Sequence, residues 1–385
     1  MRLDAAVPES LGRHRSESNP RSSPVNPLRS LMPTALAVVL VAGCGSSGQS
    51  AGPSSVGPSA SMPARSSFHV DPSPSATPAT VRLALDWTPN TNHTGFFVAR
   101  AMGWYDDAAI DLRILPYAAA TPETLLAAHQ AECGISFQDA MTFAVSAGAD
   151  IVSVAAILQK TASAIGVLAD GPIQRPRDLD GKTYAGFGYP NEAPTLKAVI
   201  KADGGTGEFT AALLDAAAYE ALYSKKADFT IPFTAWEGVE AGLRGIKLRY
   251  FRFADYGFPE FYQVVLACDR QWLDKDPEAA RRFVTATVRG FQFAADHADD
   301  AAAILVTENP GVFDVNKELP LESQRFLVEG RYLVDASGTF GTQTIERWTA
   351  YSAFLYEQGL LVDGAGKPLT APPDYGRLFT NDFLP

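Results

Sequence analysis

The sequence predicts an α/β fold of two lobes with a ligand cleft between them. Strand-like apolar runs alternate with helix starts from Val81 onward over short connections, a second unit of the same kind begins near Gly171, and a run at Phe261–Cys268 leads back into long helices. The alternation argues for a mostly parallel sheet covered by helices, and the returning C-terminal segment for two lobes. A length of 385 residues with 46% hydrophobic positions is enough for two domains.

Val81–Asp86 reads as the first strand, Trp87–Asn92 as a turn, and Gly95–Met102 as a short helix stopped by Gly103. Leu112–Leu115 is a second strand. Thr121 and Pro122 form a strong helix start, with an N-cap hydroxyl followed by proline at the first helical position. Cys133–Ser136 is a third strand, followed by a helix to about Ser146 and a strand at Ile151–Leu158. In the second unit, Asp180 and Gly181 make a turn, Thr183–Gly186 and Ala227–Ile231 are strands, and Ala193–Lys201 and Trp236–Leu243 are helices. The long closing helices are expected at Pro277–His297 and Thr344–Gln358.

Ahead of this body, residues 31–43 form an apolar run preceded by Arg21 and Arg29, too short to span a bilayer but of signal-peptide length. It ends in Val41, Ala42, Gly43 and Cys44, which resembles a bacterial lipobox. Residues 1–43 are therefore expected to be a lipoprotein signal peptide and Cys44 the lipidated residue. Residues 44–80 are Ser, Pro, Gly and Ala-rich and cannot bury enough surface to fold. They read as a tether reaching about 30–36 Å. The net charge of −11, without a Lys/Arg run, argues against nucleic acid as a partner and against electrostatic membrane binding. A lipid anchor would do the holding. The expected location is extracytoplasmic, on the bacterial cell membrane.

Ligands in open α/β sheets bind at the carboxyl ends of strands. Three polar-aromatic loops follow expected strands: Asp86–Gly95, Ser136–Asp139 and Gly186–Glu192; Phe233–Glu237 is a weaker fourth. A flat nitrogen heterocycle needs an aromatic surface and a few directed hydrogen bonds, and these loops supply both. Each residue also has a plain alternative. Trp87 and Trp236 suit a core, His93 a helix cap, Glu192 a first-turn acid, and Asp86 and Asp139 loop caps. None of the loops contains Arg or Lys, which weighs against an anionic ligand. No GxSxG, HExxH or P-loop occurs, and the scattered Cys and His residues do not form a metal-site spacing. Neither a metal nor a cofactor is expected, and no catalytic residues.

Leu85–Ala99 resembles the opening of the thiamine-precursor binding proteins of bacterial ABC transporters, which share a superfamily with fungal pyrimidine synthases. The resemblance continues through Ser136–Asp139, Tyr184–Glu192, Ala235–Glu240, Gly341–Gln343 and Pro372–Asn381. It implies a type II periplasmic-binding-protein fold that hands an aminopyrimidine, such as formylaminopyrimidine, to an ABC permease. By motif match Trp87, Asn90, Tyr189 and Glu192 are the leading ligand contacts. His93, Thr94, Gln138, Asp139, Gly188, Asn191 and Trp236 complete the candidate set. Tyr189, Asn191 and Ala193 depart from the family pattern, where a smaller residue, an apolar residue and a second acid stand.

Riboflavin or a sulfonate are alternative cargoes for the same fold. The synthase reading requires a pyridoxal-phosphate lysine and a histidine, where this chain has Ser136 and Ala140; it is not expected to be an enzyme. The lobes are expected at 81–171 with 265–385, and at 172–264, with crossovers near 170 and 264, in a monomer. In the fold that the resemblance implies, the strands holding Cys133 and Cys268 are antiparallel neighbours. A disulfide and two buried thiols both remain open, because a bond requires directly opposed residues.

Overall fold

A computed structural model describes residues 77–118 and 120–385. The expected signal peptide, Cys44 and nearly all of the tether lie outside the described residues. Among the described residues nine strands are formed: β1 (Ala79–Ala84), β2 (Ile110–Leu115), β3 (Cys133–Ser136), β4 (Ile151–Ala156), β5 (Ile165–Leu168), β6 (Thr183–Gly186), β7 (Thr210–Leu213), β8 (Leu248–Phe251) and β9 (Val265–Asp269). Between β1 and β4 lie α1 (Thr94–Ala101), α2 (Trp104–Asp107), α3 (Pro122–Ala127) and α4 (Gln138–Ser146). α5 (Glu192–Ala202), α6 (Ala217–Tyr223) and α7 (Val239–Leu243) accompany β6 to β8. After β9 come α8 (Arg270–Lys275), α9 (Pro277–Asp296), α10 (Ala298–Glu308), α11 (Leu319–Glu329) and α12 (Ile345–Glu357).

The main sheet has the order β2-β1-β3-β9-β4, with β1 parallel to β2 and β3, and β9 antiparallel to β3 and β4. Ala79 and Thr80, assigned to the tether by composition, are already in β1 and pair with Ile110 and Asp111. All six residues of β4 are buried although it ends the strand order. The C-terminal tail covers it: Ser153 N–H donates to Leu378 O and Thr380 N–H to Ser153 O, both at 2.9 Å. Pairing of this kind removes the exposed edge.

Cys133 lies directly opposite Cys268 in the β3–β9 register, and the two are disulfide-bonded. Helix starts follow their local chemistry. Thr121 accepts from Thr124 N–H at the head of α3, and Asp276 from Ala279 N–H ahead of Pro277 in α9. α1 and α9 cross at Gly95 and Gly290, where a methyl on either would overlap the other helix.

The second unit is less regular than expected. Its strands form two pairs, β5–β8 antiparallel and β6–β7 parallel. The expected strand Ala227–Ile231 is reduced to single bridges, Thr230 to Gly166 and Phe229 to Tyr184. Pro232, which has no N–H to donate, ends the run and packs over Gly166. These bridges still join the two pairs. The expected strand at Phe261 begins only at Val265. Upstream, Tyr262 N–H is taken by Gln138 Oε1, and Gln263 Oε1 is taken by Ala162 N–H.

β5 lies within the span expected for the first lobe, yet it pairs with β8. The change of sheet thus falls in residues 157–164 rather than near 170. There the two crossing segments run side by side, with Glu260 Oε1 accepting from Thr161 N–H at 2.6 Å. α12 also packs on both sides. Trp348 sits in a cluster with residues of β4 and β9, while Tyr351 and Leu355 sit among β5, β6 and β8 residues. No helix among the described residues is long and apolar enough to cross a membrane.

Candidate functional site

β2, β1 and β3 are adjacent and parallel, so their carboxyl ends lie in a row. Tyr117 follows β2, Trp87 follows β1, and Gln138 and Asp139 follow β3. The loop after β6 carries Gly188, Tyr189 and Asn191, and Glu192 opens α5.

The first loop is rigidly held. Asn90 caps the short 3-10 turn Thr91–His93, its Oδ1 accepting from Asn92 N–H at 2.9 Å and its Nδ2 donating to Thr88 O at 3.1 Å. His93 is fully buried. Its Nδ1 accepts from Asn90 N–H at 3.3 Å, which leaves Nε2–H to donate to Asp86 Oδ1 at 2.7 Å. Both ring nitrogens are therefore engaged in holding the loop. Thr91 Oγ1 meets Ser323 Oγ at 2.6 Å, and Ser323 donates to Ala235 O, so the loop is also tied to α11. Asn92 Oδ1 and Thr94 Oγ1 are buried without a protein partner among the described residues. Trp87 is half-buried, with its ring 5.0 Å from that of Tyr117 and tilted 49° to it.

Gln138 is a staple. Its Oε1 accepts from Tyr262 N–H at 2.9 Å, and its Nε2 donates to Arg347 O and Trp348 O at 3.2 and 3.1 Å. Asp139 accepts from Ala140 N–H at 2.8 Å and from Asn191 Nδ2 at 2.6 Å. Burial pushes its carboxyl above the usual range, against those hydrogen bonds and with some help from the Glu123 charge. Ser136 donates its hydroxyl to Glu123.

In the loop after β6, Gly188 has φ +93°, a left-handed value that suits glycine. Glu192 folds back over this turn. Its Oε1 accepts from Phe187 N–H at 3.1 Å and its Oε2 from Gly188 N–H at 3.0 Å. Tyr189 stacks on Phe187 at 6.1 Å yet remains 65% exposed.

Trp236 sits in a π-helical turn, Thr234–Gly238, and packs edge-on against Phe313 at 6.3 Å, beside Phe97 and Leu305. It is partly buried against that cluster. Next to it, Glu237 accepts from Phe233 N–H at 3.1 Å, and burial pushes its carboxyl up to about 7. Tyr117, which stands outside the candidate loops of the sequence, is brought beside Trp87 by the parallel pairing of β1 and β2. A separate groove of about 420 Å³, lined by Lys160, Glu260, Arg331, Asp335 and Arg347 among others, contains none of the candidate residues. Among the described residues, no group of three His, Cys, Asp or Glu could hold a metal ion.

Three similarities bear on this geometry. The chain is 28% identical over 302 residues to the formylaminopyrimidine-binding protein of Halalkalibacterium halodurans, covering 76% of this chain and 90% of that protein. It is 24% identical to the riboflavin-binding protein RibY of Chloroflexus aurantiacus, over 82% of this chain and 89% of the other. The solved alkanesulfonate-binding protein SsuA of Xanthomonas axonopodis pv. citri superposes with a TM-score of 0.56 at 17% identity, over 75% of this chain and 96% of that one. The last similarity shows a shared fold, the two-lobed periplasmic-binding-protein architecture. Residues 90–301, more than half of the chain, match the family described as NMT1/THI5 like, and the chain belongs to that family.

Proposed function

We propose that the chain is the extracytoplasmic substrate-binding component of an ABC importer and captures a small aminopyrimidine precursor of thiamine. The observation that carries this reading is the contact between Asn191, in the loop after β6, and Asp139, in the first turn of the helix that follows β3. It supports a single ligand opening shared by loops of both sheets. In this reading the pyrimidine stacks on Trp87 or Tyr189, and Glu192 accepts from its exocyclic amine. Each Glu192 oxygen accepts one backbone N–H, which leaves lone pairs for a ligand donor. Asn90 and Thr94 supply polar groups beside the ring, and Gly188 lets the backbone approach it. His93 and Gln138 hold the loops in place. Asp139 and Asn191 join the two sides, and Trp236 backs the fourth loop.

Lobes 81–171 with 265–385 and 172–264 would close on the ligand by hinge motion. The crossing at residues 157–164 favours an earlier first boundary. Cleavage before Cys44 and its lipidation would anchor the monomer to the membrane within reach of a permease. Binding without catalysis is supported by Ser136 and Ala140, neither of which offers an amine or imidazole. A sulfonate is disfavoured, because Glu192 already occupies the N–H donors of Phe187 and Gly188. Riboflavin is the second reading, favoured by the Chloroflexus relative.

The test is mass spectrometry of the ligand released from protein expressed without residues 1–43, followed by calorimetric titration with formylaminopyrimidine. Recovery of an aminopyrimidine and saturable binding are expected. A protein that takes up no aminopyrimidine refutes the reading.

A further inference from the structure

Two uncovered aromatic surfaces meet at the candidate site. Tyr117 is 47% exposed and Tyr189 65% exposed, in a molecule whose large apolar side chains are mostly buried. Leu213, which is 69% exposed, flanks the Gly188 turn. Apolar surface left open on both sides of a cleft is surface for a ligand to cover.

The strand order gives the cleft a direction. Because β2 is the edge strand, Tyr117 stands at one end of the row, Trp87 in the middle and Asp139 at the other end. The carboxyl ends of β2 and β3 stand two strand spacings apart, about 10 Å. The Trp87 and Tyr117 rings touch at 5.0 Å but are inclined by 49°. One planar ring can lie flat on only one of them and meets the other at a tilt. A six-membered ring resting on Trp87 therefore fits between Tyr117 and Asp139. A fused three-ring system laid along the same row runs into the Tyr117 ring.

We propose that Tyr117 is a specificity-determining residue that limits the ligand to a single heteroaromatic ring. The proposal rests on the binding reading above and deepens it. It assigns to one side chain the discrimination between aminopyrimidine and flavin cargoes.

The test is a pair of calorimetric titrations, with formylaminopyrimidine and with riboflavin, on wild type, Tyr117→Ala and Tyr117→Phe. Wild type is expected to prefer the pyrimidine. Tyr117→Ala should reduce that preference by about tenfold or more, through gained riboflavin affinity and lost ring contact with the pyrimidine. Tyr117→Phe keeps the ring and should restore the preference. Wild type that binds pyrimidine, with the same preference in Tyr117→Ala, overturns the role of Tyr117 alone. Wild type that favours riboflavin overturns it as well. Wild type that binds neither ring overturns this proposal together with the binding reading.

Discussion

The side-chain amide of Asn191 donates to Asp139 at 2.6 Å and to the phenol of Tyr351 at 3.0 Å. One residue from the loop after β6 thus joins the first turn of α4 and the middle of α12. Family resemblance leads to an apolar side chain at position 191. An amide there satisfies a carboxylate that burial would otherwise leave costly to ionise.

Replacing Asn191 with Ala removes a donor from that carboxylate. The expected loss is about 1.5–3 kcal/mol of folding stability, read from urea melts. The same substitution in an Asp139→Asn background should cost less, because no charge remains to be served. Equal costs in the two backgrounds would mean that the contact is not coupled.

Glu192 and Trp87 should dominate affinity. Loss of a charge-assisted hydrogen bond inside a closed cleft costs about 1.5–3 kcal/mol. Glu192→Gln should therefore weaken formylaminopyrimidine binding roughly tenfold to 150-fold, and Trp87→Ala should weaken it as well. Calorimetry decides the matter, and unchanged affinity in both variants removes these residues from the site.

Glu237 should make stability depend on pH. Its ordinary value is 4.5, and burial raises it to about 7 in the folded chain. Between these values the native state holds a proton that the unfolded state has released, so the Glu237 contribution to stability is complete below about pH 4.5 and falls as pH rises toward 7. Asp139, also raised by burial, acts in the same direction. The Glu237 part amounts to about 3 kcal/mol at most. Glu237→Gln should flatten the fall between pH 5 and 7 and raise the melting temperature at pH 8. A variant whose pH profile matches wild type would show that this carboxyl does not carry the effect.

Thiol titration of denatured, unreduced protein lacking residues 1–44 should find no free thiol, since Cys133 and Cys268 are bonded. Their sequence separation is 135 residues. Chain entropy for a loop of that length puts the stabilisation near 5 kcal/mol at its ceiling. A Cys133→Ala, Cys268→Ala double variant should melt earlier by an amount within that limit. Two titrated thiols would contradict the bond.

What the sequence determined by itself was local. β3 and β6 are bounded as their apolar runs suggest, and α3, α9 and α12 begin where a Thr or Asp cap stands ready, twice just ahead of a proline. These signals need only neighbouring residues, and the motif Leu85–Ala99 carried the family resemblance on the same terms. Tertiary structure decided the rest. β7 is mostly exposed and has no clean alternation, so only its pairing with β6 defines it as a strand. Whether Cys133 faces Cys268 was a matter of register, which depends on the partner strand. His93 and Gln138 are polar residues in a promising loop until their bonding partners are known. For Gln138 those partners are Tyr262, Arg347 and Trp348, more than a hundred residues away. Tyr117 lies in a stretch with little polar character, and only the parallel order of β2, β1 and β3 brings it beside Trp87. A hydrogen bond or ring contact between distant residues leaves no periodic trace in the chain, because it depends on where the backbone returns.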